Sequence, residues 1–148
     1  MSTFFAFLHH VCAFTLVSAV AIEFALIRGE LTLASARRLQ VTDMAYGIAA
    51  GALLIIGLLR VFFFEKGADY YFHSHAFVAK LSVFIAIALL SIIPTKEFLS
   101  WRGAVKAGQA PTISAKKLKL ITAVIQGELF AVVIILLCAA IMARGRWV

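Results

Sequence analysis

Apolar residues run almost unbroken through residues 4–27, 44–64, 76–93 and 119–143, and charged residues gather between those runs. About 20 apolar residues, rising 1.5 Å each as a helix, cross roughly 30 Å of hydrocarbon, so each run predicts a membrane-spanning helix. The first run has no basic residue ahead of its apolar part and no convincing small-residue cleavage site, which separates it from a secretory signal. The connections are short, and helices joined by short loops pack as antiparallel neighbours. The expected fold is therefore all-α: one domain of 148 residues, built as an up-down bundle of four transmembrane helices.

Local signals refine the boundaries. Thr42 or Asp43 is placed to cap the second span, and Thr112 or Ser114 the fourth. Pro94 closes the third. The stretch that follows, TKEFLSWRGAVK, predicts a short interfacial helix capped by Thr95. Phe98, Trp101 and Val105 would dip into the membrane boundary while Lys96, Arg102 and Lys106 face water. In the second span Gly47 and Gly51 form a G-x-x-x-G with small neighbours, a signal for close helix packing within the chain or between two copies. The role of Gly57 stays open.

Composition agrees with the pattern. The chain is 64% hydrophobic and 14% charged with mean hydropathy +1.03, against about 25% charged residues in soluble domains. Its net charge of +7 would suggest nucleic acid in a soluble protein. Here the basic residues flank the spans, so anionic lipid headgroups are the expected partner. Arg28, Arg37, Arg38, Lys96, Arg102, Lys106, Lys116, Lys117 and Lys119 fall in or beside the first and third loops; Arg60, Lys66, Lys80, Arg144 and Arg146 fall at the other side. That bias places loops one and three in the cytoplasm and both termini outside it. Cys12 and Cys138 lie in different spans without a CxxC, and read as apolar thiols.

Ionisable residues inside spans are costly and mark enclosed sites by default. His9 and Glu23 lie fourteen residues apart, about 320° around a helix and about 21 Å along it, on one stripe. If the third helix begins near Tyr70, His73 and Lys80 lie within about 20° of each other on one face. Up-down topology brings His9, His10, His73 and His75 to one membrane surface, with Arg60, Glu65, Lys66, Asp69, Tyr70 and Tyr71 as a rim. Tyrosines and ion pairs also form interfacial belts, but imidazole is the commonest transition-metal ligand. Two schemes follow. In one, a span-one histidine and a His or Lys at the start of span three bind a b-type haem. In the other, His73-x-His75 with His9 or His10 holds copper or zinc. At the other end Glu23, Arg28 and Asp43 are expected to form an ion-paired cytoplasmic cluster. Glu128 sits near the middle of the fourth span, nearly opposite Gln126. An inward carboxyl there holds a proton or pairs with a cation.

HH near the N-terminus, E-x(4)-R ending span one, D-x-x-Y-G opening span two, and R-x-F-F-F-E-K-G-x-x-Y-Y followed by F-x-x-K resemble an uncharacterised family of four-span bacterial membrane proteins over nearly the whole chain. More distantly, the layout is similar to the J-type membrane protoporphyrinogen oxidase and the copper-resistance D proteins. The resemblance to the J-type enzyme matches His9, preceded by Leu8, to a span-one histidine, Arg28 to its closing arginine, Lys80 to a span-three lysine, and Glu128 to a span-four glutamate. Gly127 stands where that family has Asn, and no Pro follows Glu128.

Together these readings imply a bacterial inner-membrane protein binding haem b, with a redox role on a porphyrinogen or quinol-like substrate. His9 would be an axial ligand, His73 or Lys80 the second ligand or a propionate partner, Arg60 a propionate partner, and Lys80 and Glu128 the catalytic groups, with Glu128 handling protons. The alternatives are a non-enzymatic subunit docking a larger membrane complex or a second copy, and a copper-handling protein using His9, His10, His73 and His75.

Overall fold

A computed structural model describes residues 2–64 and 67–144, and for Ser2 the backbone alone. Glu65, Lys66 and Arg146 lie outside the described residues. The elements are α1 (Ser2–Ile27), α2 (Leu33–Leu59) continued by a π-helical turn (Arg60–Phe64), α3 (Ala68–Phe72), α4 (His75–Leu90), α5 (Ile92–Ser100), α6 (Arg102–Lys106) and α7 (Ala115–Ala143). Four stretches are long and apolar enough to cross a membrane: Thr3–Ile27, Leu33–Phe64, His75–Lys106 and Ala115–Ala143. No strand occurs among the described residues. Large apolar side chains point outward on every span; Phe14, for example, is 79% exposed. Water-soluble surfaces avoid continuous patches of this kind, whereas lipid covers them without cost.

The second helix begins ten residues before the expected cap at Thr42 or Asp43. Thr32 and Ser35 form a reciprocal capping box: the Ser35 N–H donates to Thr32 Oγ1 at 3.1 Å and the Thr32 N–H to Ser35 Oγ at 2.8 Å. From there Ala36, Leu39, Asp43, Tyr46 and Ala49 make one buried stripe, so Asp43 is an inward residue in mid-helix. Ser114 does cap α7, accepting from the Lys117 N–H.

The third span runs on through Pro94, which occupies the first turn of α5, where a missing N–H removes no helical bond. The helix is interrupted at Ser91, whose hydroxyl donates to the Ala88 carbonyl, and again at Trp101. Beyond it Phe98, Trp101 and Val105 are buried at 0%, 3% and 8% exposure, packed into the core with Leu39 and Ile121. The expected short helix is thus present as two, α5 and α6, the first starting before Thr95 so that Thr95 is not its cap, and their apolar side faces the bundle instead of a lipid surface. Gln40 Nε2 donates to the Phe98 carbonyl at 2.7 Å, tying α2 to α5.

This segment shapes the bundle. The helix α1 packs between α2 and α7, and α4 packs on α7, whereas α2 meets the third span through α5 and α6. The third span therefore touches α2 at one end and leaves it at the other. Gly47 and Gly51 do not serve this packing. Both face outward, and a Cβ built on either meets nothing within 4 Å, because the stripe through Asp43, Tyr46 and Ala49 takes the inward face. Close packing within the chain is accordingly not their role.

Phe98→Ala should destabilise the fold by about 3–5 kcal/mol, the usual cost of emptying a buried aromatic site. Gly51→Leu should leave stability unchanged or raise it by up to about 1 kcal/mol, since it replaces a poor helix former in open space. Reversible unfolding in mixed detergent micelles measures both.

Candidate functional site

Where the third span leaves α2, a cavity of about 180 Å³ opens. The walls of that cavity are apolar, from Leu53, Leu54 and Leu58 of α2, Phe77, Leu81 and Phe84 of α4, and Ile135 and Met142 of α7. Its polar groups are His9 of α1, Arg60 of the π-helical turn, Tyr71 of α3 and Lys80 of α4. Two of these positions are set by backbone irregularities. The π-helical turn offsets Arg60 from the α2 register, and such turns recur at functional sites. Gly57 gives His9 its place: a Cβ there would lie 3.3 Å from His9 Cε1.

His9 lies within electrostatic reach of both Lys80 and Arg60. Its Nδ1 is buried without a hydrogen-bond partner, and buried polar atoms normally have one. The Lys80 ammonium sits 5.9 Å from the centre of the Phe77 ring, near Cys138, and forms no ion pair among the described residues. Among the described residues no Asp or Glu lines the cavity. Three basic side chains thus line an apolar pocket to which the described residues contribute no Asp or Glu.

The other histidines stay outside. The expected common face of His73 and Lys80 requires one continuous helix, but the chain breaks at His73–Ser74 between α3 and α4. His73 is exposed, its ring Nδ1 2.7 Å from the Asp69 carbonyl and 3.4 Å from the Asp69 carboxylate. His75 is also exposed, and His10 pairs its Nδ1 with the Ala6 carbonyl of its own helix. Among the described residues no group of three or more His, Cys, Asp and Glu side chains is arranged to hold a metal ion. His9, His10, His73 and His75 are therefore not gathered into one ligand set. Cys12 and Cys138 are free thiols.

A second polar group lies toward the opposite end. Glu23 of α1, Asp43 and Tyr46 of α2 and Glu128 of α7 are all buried and within electrostatic reach of one another. Thr95 of α5 donates its hydroxyl to Asp43 Oδ1 at 2.7 Å, and Ser91 lies beside the Tyr46 hydroxyl. The expected ion-paired cluster of Glu23, Arg28 and Asp43 is corrected in one member. Arg28 is five residues from Glu23, about 140° around the helix, and it is exposed, stacked 5.2 Å over the Phe24 ring. Glu128 takes its place, while Gln126 faces outward. Lys80 and Glu128, both expected as catalytic groups, lie apart: Met142 on the cavity wall is fourteen residues from Glu128, about 21 Å along α7.

Sequence reasoning missed Tyr46, Ser91, Thr95, Gly57 and Met142 as site residues. The first three had a readable signal, since Asp43 and Tyr46 are one turn apart, as are Ser91 and Thr95. Thr95→Val should cost about 1 kcal/mol by leaving Asp43 short of a donor. Arg28→Gln should stay within about 0.5 kcal/mol of the parent. Unfolding of the two variants side by side tests the assignment of Arg28 to the periphery.

No curated protein and no solved structure matches the chain. The family described as "Predicted membrane protein (DUF2214)" matches residues 1–146. With four apolar helices fitting a four-span membrane protein of unknown function, the chain belongs to the DUF2214 family of membrane proteins.

Proposed function

We propose that the protein binds, between α2 and α4, the head of a largely apolar ligand carrying carboxylate oxygens. One observation supports this reading above the others: Lys80, which forms no ion pair among the described residues, shares an apolar cavity with His9 and Arg60, and no Asp or Glu lines that cavity among those residues. A cation kept away from water is stabilised by an anionic partner, and the unpartnered Nδ1 of His9 offers a further hydrogen-bonding position. The apolar walls accommodate the rest of the ligand, as is general for sites between helices of a bundle.

Haem b is one carboxylate-bearing ligand of this kind. The donor set suits it in part: His9 for the iron, Arg60 and Lys80 for the propionates, with Met142 on the same wall. Bound haem would supply one-electron chemistry. Against it, His73 lies outside the cavity, and about 180 Å³ is below the roughly 300–1,000 Å³ of typical cofactor sites. A macrocycle would require α2 and α4 to separate. A fatty-acid-like head needs no such movement, and that ligand class is the one favoured. An oxidoreductase role follows only if haem or a quinol-like ligand is the occupant.

Purified protein in lipid nanodiscs, titrated with a fluorescent fatty-acid analogue, tests the proposal. Binding should weaken by about ten- to a hundredfold in Lys80→Gln, since a charge-assisted hydrogen bond contributes about 1.5–3 kcal/mol. Gly57→Val, which crowds the His9 ring, should weaken it as well. A Soret band that disappears in His9→Ala would shift the assignment to haem. Failure of both ligands to bind the parent protein would remove the proposal and favour a docking subunit of a larger membrane complex.

A further inference from the structure

The acidic group is independent of that pocket, and ligand binding between α2 and α4 gives it no role. Its carboxyls come from three helices, and the burial of two is nearly complete: Glu23 is 1% exposed and Glu128 2%. Oε1 of each is buried without a hydrogen-bond partner. Asp43 is 7% exposed and has Thr95 as its donor.

Among the described residues no basic side chain forms an ion pair with them. Just past α1, Arg28 lies over Phe24 and is exposed. On α2, Arg37 and Arg38 are exposed, as is Lys96 on α5. On α7, Lys116 and Lys119 are exposed, and Lys117 is held by Glu97 at 2.9 Å. Among the described residues none of these pairs with Glu23, Asp43 or Glu128. The remaining neighbours, Tyr46, Ser91 and Thr95, are hydroxyls. Three carboxylates enclosed together without a counter-charge would repel one another in a medium that does not screen them.

Positive charge must therefore enter from outside the chain's own side chains. A metal ion requires several oxygens directed at one point, and the described acidic side chains are not so arranged. A proton requires only one oxygen. We propose that Glu23, Asp43 and Glu128 form a proton-binding site in the bundle core, with the proton as the exchangeable counter-cation of the group. The two unpartnered Oε1 atoms are the positions available for it.

Infrared spectroscopy of the full chain in nanodiscs reads this directly. The parent protein at neutral pH should show the C=O stretch of a protonated carboxyl, shifted in D2O and unchanged when sodium is replaced by choline. Glu23→Gln and Glu128→Gln should each diminish the band, and the double variant should lose most of it. Absence of the band at neutral pH would overturn the proposal, as would its presence only in choline, which would make a metal cation the occupant. A band unaffected by either substitution would also overturn it. If a variant fails to fold, the sodium and choline spectra of the parent chain still decide. Fatty-acid binding in the cationic pocket plays no part in this readout, so the two proposals fail separately.

Discussion

Packing of α5 against α2 is the contact on which the rest of the bundle depends. The Gln40 side chain holds the Phe98 carbonyl, Thr95 holds Asp43, and Phe98 and Trp101 fill the space between. A helix paired with α2 along its whole length would leave no room between them. The interruption at Ser91 separates a segment that packs on α2 from one that packs on α7. The acidic group forms where the helices meet, and the cavity opens where they part.

The outcome is a bundle core with two ends of opposite chemical character. One holds His9, Arg60 and Lys80, the other Glu23, Asp43 and Glu128. Between them on α1 lie Leu16, Ala19 and Val20, all buried. Placing acids and bases in direct contact would have neutralised both inside the protein. Keeping them about 21 Å apart along α1 leaves each end open to charge from elsewhere. The occupant proposed for the basic end is an anionic ligand, and the one proposed for the acidic end is a proton.

Much of this was legible in the residues. Apolar run length gave the four spans, because the bilayer imposes it, and the fourteen-residue spacing of His9 and Glu23 put them on the stripe that faces the core. The same face arithmetic failed for His73 and Lys80 because it assumed one helix, and nothing in YYFHSH announces the break at Ser74. Thr42 and Asp43 resembled a cap because Asp is common there, yet the Thr32–Ser35 box lies earlier and Asp43 is held inside by Thr95. Gly47 and Gly51 carried a packing pattern without a partner in the chain, since glycine spacing does not say which face of a helix is turned inward. Gly57 had no pattern at all. Only the approach of His9 from another helix gives it meaning.

The central claim is that His9 and Lys80, brought together from α1 and α4, receive the same ligand while the remaining histidines do not. Nitrogen NMR of the full chain with labelled histidine and lysine side chains, titrated with laurate in nanodiscs, tests it most directly. The His9 ring and the Lys80 ammonium should shift together with one binding curve, and His73 and His75 should stay still. Movement of His73 with His9 unmoved, or of Lys80 and His9 at unrelated concentrations, would contradict it.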